Sequence, residues 1–151
     1  MNAESQTLEK WIELFIGSDL HRAGGLRAPK PDPFRNPVCY AIRKSLAQLW
    51  EQFLGEMNPE AVDQALDTIL RIRAVQDISP SEAVAFITDL RPLIRQLSAE
   101  CDRSLLETRI DQLALAASDK YQQCCEQVAA VRLHEVERLS HAHRMPRKAR
   151  P

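Results

Sequence analysis

Glycine is scarce in this chain, at four of 151 residues, and aromatic side chains make up 5%. Leu, Ala, Glu, Gln and Arg are abundant instead, and that balance favours helix. Charge of one sign is also lacking. The net charge is -1, which removes the electrostatic case for nucleic acid as the main partner. No apolar run approaches the ~20 residues needed to span a bilayer, so no membrane insertion is expected. The opening "MNAESQTLEKW" has no basic segment leading into an apolar one, so no secretory signal is visible. A cytoplasmic location is expected. There the four cysteines, Cys39, Cys101, Cys124 and Cys125, are expected as reduced thiols.

Catalytic signatures are missing too. There is no glycine-rich phosphate loop, no HExxH and no GxSxG. Cys124 and Cys125 are adjacent, so on a helix they point about 100° apart and form no chelate by themselves. His134 is too far along to join them, and His141 and His143 have no evident further ligands. No catalytic residue, metal site or cofactor is assigned, and the chain is expected not to be an enzyme.

What is present is a helical pattern across one domain's length, 44% hydrophobic and 27% charged. Leu8, Trp11, Ile12 and Phe15 place a first helix over 5–16, with Gly17 as its stop. "HRAGGLRAPKPDPF" has two glycines, three prolines and no periodicity, and is expected as an exposed linker. Asn36-Pro37 starts a second helix, with Ile42, Leu46, Leu49, Trp50, Phe53 and Leu54 as its apolar stripe. Asn58-Pro59 starts a third, buried through Val62, Leu66, Ile69 and Leu70.

The corner after it is densely specified. Arg71 and Arg73 sit in the last turns of the third helix, where cations suit the negative end. Ser79, Pro80 and Glu82 make a cap, a first helical residue and the reciprocal partner of a capping box. Arg73 lies near the buried stripe, and Asp77 is expected to pair with it if the helix persists that far. Such a pair is either a structural fixing of the corner or a contact that a partner or ligand switches.

A fourth helix is expected from Pro80 to about Glu100, with Val84, Ile87, Leu90, Ile94 and Leu97 inward. Pro92 implies a kink near Thr88–Pro92, or two shorter helices. From Arg103 to about His141 nothing interrupts. Ile110, Leu113, Ala117, Tyr121, Cys124, Val128 and Val131 line one face, and the stripe then shifts to Leu133, Val136 and Leu139. A helix of this length outruns the core of a small domain. Its far half is expected to pair with a second copy of the chain, through a face of Tyr121, Cys124, Val128, Val131, Val136 and Leu139. The alternative is a break near Ser118-Asp119 and a helix that folds back. The expected organisation is one helical sensor-like domain over 1–141, with its core at about 34–130, and a basic flexible tail over 142–151.

Two segments carry a resemblance. "FRNPVCYAIRKSL" and "ILRIRAVQDISPSEAVAF", within about Phe34 to Arg95, resemble the amino-terminal domain family of RsbT co-antagonist proteins, the RsbRD type. In that family a glycine commonly follows the NPV and an aromatic often precedes the SPS. Cys39 and Ile78 stand at those positions here. The resemblance implies an all-α, globin-like helical bundle without haem, ending in a long helix. It also implies a regulatory role in partner-switching stress signalling. Relatives usually join such a domain to a STAS domain, and none is expected within these 151 residues. The expectation is a freestanding homodimeric sensor or adaptor that signals through a separate protein, such as a STAS-domain protein or a kinase. Two other functions stay open. One is a sensor with an apolar small-molecule pocket near the Pro92 kink; the other is a thiol or metal sensor using Cys101 with Cys124 or Cys125.

Overall fold

The computed structural model describes residues 2–22, 36–97 and 102–144. Among them there are six α-helices and no strand: α1 (Ala3–Arg22), α2 (Pro37–Leu54), α3 (Pro59–Val75), α4 (Pro80–Thr88), α5 (Leu90–Leu93) and α6 (Arg103–Arg144), with a 3₁₀ turn at Ile94–Gln96. The described residues are all-α, and the long helix α6 is the last element among them. The expected linker falls mostly outside the described residues, as do Cys101 and the last residues of the basic tail. Residues 142–144, expected as part of that tail, are still helical.

The helix starts are local chemistry. The Asn36 side chain accepts from the Cys39 amide at 3.2 Å, with Pro37 in the first turn. The Asn58 side chain accepts from the amides of Glu60 and Ala61 at 3.0 and 3.2 Å. Ser79 Oγ accepts from the Glu82 amide at 3.3 Å. These bonds satisfy amides that have no partner within the helix. The return arm of the capping box, from the Ser79 amide to the Glu82 carboxylate, is not made, and Glu82 is exposed. Gly55 ends α2 at a close approach, because a Cβ there would lie 2.8 Å from the Glu51 carbonyl oxygen.

Two expected boundaries move. Gly17 does not stop α1, which continues to Arg22. One glycine costs a helix only about 1 kcal/mol, and the added turn carries Asp19 to a buried tertiary contact. The single fourth helix is replaced by α4, α5 and the 3₁₀ turn, which are separated at Asp89. Pro92 has no amide to offer the carbonyl of Thr88, so the ladder breaks where α4 ends. Leu90, Leu93 and Ile94, on either side of Pro92, remain in the core.

An aromatic cluster occupies the middle of the body. Trp11 lies 6.2 Å from both Trp50 and Phe86 between ring centroids, and Phe15 meets Phe86 edge-on at 5.2 Å. Around it pack the expected stripes of α2 and α3. Phe86 and Ala83 add a buried face to α4 that its helical spacing did not single out.

α6 closes the body against α3 and α4. Leu106, Ile110, Leu113, Ala117, Tyr121 and Cys124 are its buried residues. Burying each large apolar side chain contributes roughly 1.5–3 kcal/mol, so this face seats the helix firmly. The Arg109 guanidinium donates to the Phe53 carbonyl at 2.7 Å and so closes the free end of α2. α6 runs unbroken through Ser118 and Asp119, without the fold-back that was the alternative. Its 42 residues extend for about 63 Å at 1.5 Å per residue. After Cys124 none of its described side chains is buried.

Candidate functional site

The site begins at Arg73, in the last turn of α3. Its side chain is 1% exposed, among the largest fully buried groups of the chain. An arginine tolerates such a place only when its charge is met and its donors are used. The guanidinium reaches Asp19 Oδ1 at 3.2 Å, and it donates to the carbonyls of Glu82 at 2.8 Å and Ala83 at 3.3 Å. It lies 4.0 Å from the centre of the Phe15 ring and 5.4 Å from that of Phe86. A planar cation between aromatic rings is held by their quadrupoles as well as by its hydrogen bonds.

The expected partner of Arg73 is therefore corrected. Asp77 lies beyond the end of α3, exposed, with φ at 57°. The helix does not persist far enough to bring it round. Asp19, 54 residues earlier in the chain, takes the role instead.

α6 holds the same corner from the other side. Tyr121 Oη donates to the Ile78 carbonyl at 2.5 Å. Arg132 donates to the carbonyl of Val75 at 3.3 Å. Val75 and Ile78 flank the turn between α3 and α4, so α1, α3, α4 and α6 meet within about ten residues of chain. Burial comes first in raising the Tyr121 hydroxyl to about 12. The hydrogen bond and charge of Cys125 and the charge of Asp77 push the same way, and Arg73 pulls it down. Asp89, at the junction of α4 and α5, is raised by burial and pulled down by the positive field of Arg73.

The expected partner face divides in two. Tyr121 and Cys124 are covered by the chain's own body, and Val128 is half-buried. Val131, Leu133, Val136 and Leu139 are 60–66% exposed. At about 100° per residue, Ala129, Leu133, Val136 and Leu139 lie on a stripe turned roughly a third of a circle from the Cys124 face. Where α6 leaves the body, Val75, Cys124, Val128 and Val131 line a groove of about 380 Å³, with Arg71 and Arg132 at its edges.

Cys39 and Cys124 are poorly placed for reaction. Burial raises Cys39 and Cys124, with Asp67 adding to the rise at Cys124 and Arg43 opposing it at Cys39. Raised thiols hold less of the thiolate that reacts and binds metal. Among the described residues no three metal-ligating side chains come together, and no helix is long and apolar enough to cross a membrane. His134, His141 and His143 are exposed on α6.

Of the residues that the sequence singles out, the structure buries Arg73 and makes Ser79 a cap, with Pro80 in the first turn of α4. Sequence reasoning missed Asp19 and Arg132. Both act over long sequence separations, and neither stands in a local pattern.

No curated protein and no solved structure matches the chain. A family model does match, that of the RsbT co-antagonist protein rsbRD N-terminal domain, over residues 6–136. The match takes in the whole corner, the aromatic cluster and most of the protruding helix, well beyond the segments that first carried the resemblance. The chain belongs to the RsbT co-antagonist rsbRD N-terminal domain family, a family of sensor-like signalling domains.

Proposed function

We propose that this chain works as one non-enzymatic signalling domain, which pairs with a second copy through the protruding half of α6 and passes its signal to a separate protein. The observation that carries the reading is the exposure of Val131, Leu133, Val136 and Leu139 on a helix that continues about 30 Å past its last buried residue. An isolated helix of that length is marginal in water, and packing of its apolar face is what stabilises it. A symmetric pair supplies that packing with no further component. The family supports the regulatory role, and the partner in signalling is expected to be a STAS-domain protein or a kinase.

Light scattering at micromolar concentration tests the pairing. The full chain is expected at twice its 17.2 kDa mass, and the double substitution Leu133→Glu/Val136→Glu at the single mass with unchanged helicity. A full chain that stays monomeric throughout that range overturns the reading.

A further inference from the structure

The Asp19 carboxylate is in contact with the Arg73 guanidinium, and Asp89 lies within the reach of its field. Asp19 belongs to the last turn of α1, just before the residues that lead to α2. Asp89 belongs to the α4–α5 junction and follows Phe86 by three, so it lies on the same side of α4 as the ring that faces the guanidinium. It is half-buried and already feels the charge of Arg73. A buried guanidinium cannot be left without an acid.

The same guanidinium holds the first turn of α4 through the carbonyls of Glu82 and Ala83. That turn is continuous with Ile78, which receives Tyr121, and the preceding end of α3 offers Val75 to Arg132. Side-chain contacts joined by short stretches of backbone thus run from the end of α1 to the point where α6 leaves the body.

We propose that Arg73 is an exchangeable latch: with Asp19 it fixes the corner and the root of α6, and when the end of α1 moves away it passes to Asp89 and loosens both. Displacement of α1 by anything that binds near its end is then read out as a change in the set of the protruding helix. The device works within one subunit, so it stands whether or not the chain pairs with a second copy.

Hydrogen exchange followed by mass spectrometry on the full chain tests it. Asp19→Asn is expected to speed exchange at least tenfold at residues 76–83 and 125–132 while residues 42–53 keep their rates. Asp19→Glu should restore protection. Asp89→Asn alone should leave the rates unchanged, yet in the Asp19→Asn background it should speed the corner further. Exchange that rises only within α1, or equally in every helix, overturns the latch. So does a double variant whose rates match those of Asp19→Asn. Tyr121→Phe leaves the buried charge untouched and gives an independent arm. Coupling is mutual, so this variant should speed exchange at the root and also at residues 17–22. Unchanged rates at 17–22 overturn the proposal even if Asp19→Asn does not fold.

Discussion

Trp11 donates its indole N–H to the main-chain carbonyl of Phe86 across 2.7 Å, while the two rings lie stacked with centroids 6.2 Å apart. Trp11 is fully buried, and its indole is both the centre of the aromatic cluster and the polar tie between α1 and α4. Trp11→Phe keeps most of the apolar area but leaves that carbonyl unpaired and a gap beside it. A loss of about 2–4 kcal/mol is expected, since an unmet buried acceptor and a core void act together. A urea titration followed by circular dichroism reads it as a lower midpoint with an unchanged slope.

Arg73 should be among the least replaceable residues of the chain. Arg73→Met removes the cation and leaves Asp19 facing a half-buried site without it. Breaking a buried pair from one side costs about 3–5 kcal/mol. Arg73→Lys keeps the charge but loses the planar fork that serves Asp19 and two carbonyls together, and it stacks less well between Phe15 and Phe86. The lysine variant is therefore expected between wild type and Arg73→Met in chemical denaturation. Equal midpoints for lysine and arginine would show that charge alone holds the corner.

The three proline-led helix starts give a contrasting set. Asn58→Ala and Ser79→Ala each remove a side-chain acceptor from free amides and are expected to cost about 1 kcal/mol apiece. The caps share no partner, so the double variant should lose the sum of the two within about 0.5 kcal/mol. Thermal or urea unfolding of the two single variants and the double checks both statements.

These caps also mark what the sequence made legible. Asn36-Pro37, Asn58-Pro59 and Ser79-Pro80 act on amides two or three residues away, so their chemistry stands in adjacent letters. The inward stripes of α2 and α3 and the inward face of α6 through Cys124 are legible for the same reason, as a spacing of three and four. The site is legible only by halves. Arg73 stood out as a charge beside an apolar stripe, but its acid lies on another helix 54 residues away. Tyr121 and Arg132 bind main-chain carbonyls, which every residue possesses, so no pattern names their partners. The division of the α6 face was hidden too. Whether Tyr121 faces the body or a partner depends on where α3 ends, and helical spacing does not report that.

Tyr121 gives a dependence on pH with a definite sign. Its hydroxyl titrates at about 12 in the folded chain, against the ordinary 10 of the unfolded one. The folded state therefore holds the proton more tightly, and its contribution to stability is complete below pH 10. As pH rises from 10 through 12 the unfolded chain ionises first, and that contribution is lost. The folding free energy is expected to fall across this window in wild type and to fall less in Tyr121→Phe. That variant should also be about 1 kcal/mol less stable at neutral pH, because the Ile78 carbonyl loses its donor. Parallel slopes for the two proteins between pH 10 and 12 would remove Tyr121 as the cause.

Ending the chain after Arg132 separates the body from the protruding helix. Every buried residue of α6 lies at or before Cys124, and the Arg132 bond to Val75 is kept. What is lost is Leu133, Val136 and Leu139, all exposed, so the body should keep its helicity and its aromatic packing. Surface changes of that kind shift stability by no more than about 0.5 kcal/mol. Pairing adds a second, concentration-dependent contribution, since a partner that binds only the folded chain stabilises it by mass action. The Tm of the full chain is therefore expected to climb as protein is raised from one to one hundred micromolar, while that of the shortened chain stays level. A full-chain Tm that ignores concentration would place the self-association elsewhere than on this helix, or nowhere. A shortened chain whose Tm still climbs would move it onto the body, where Leu14, Val38, Tyr40, Val75, Leu105 and Leu115 are among the large apolar side chains left open.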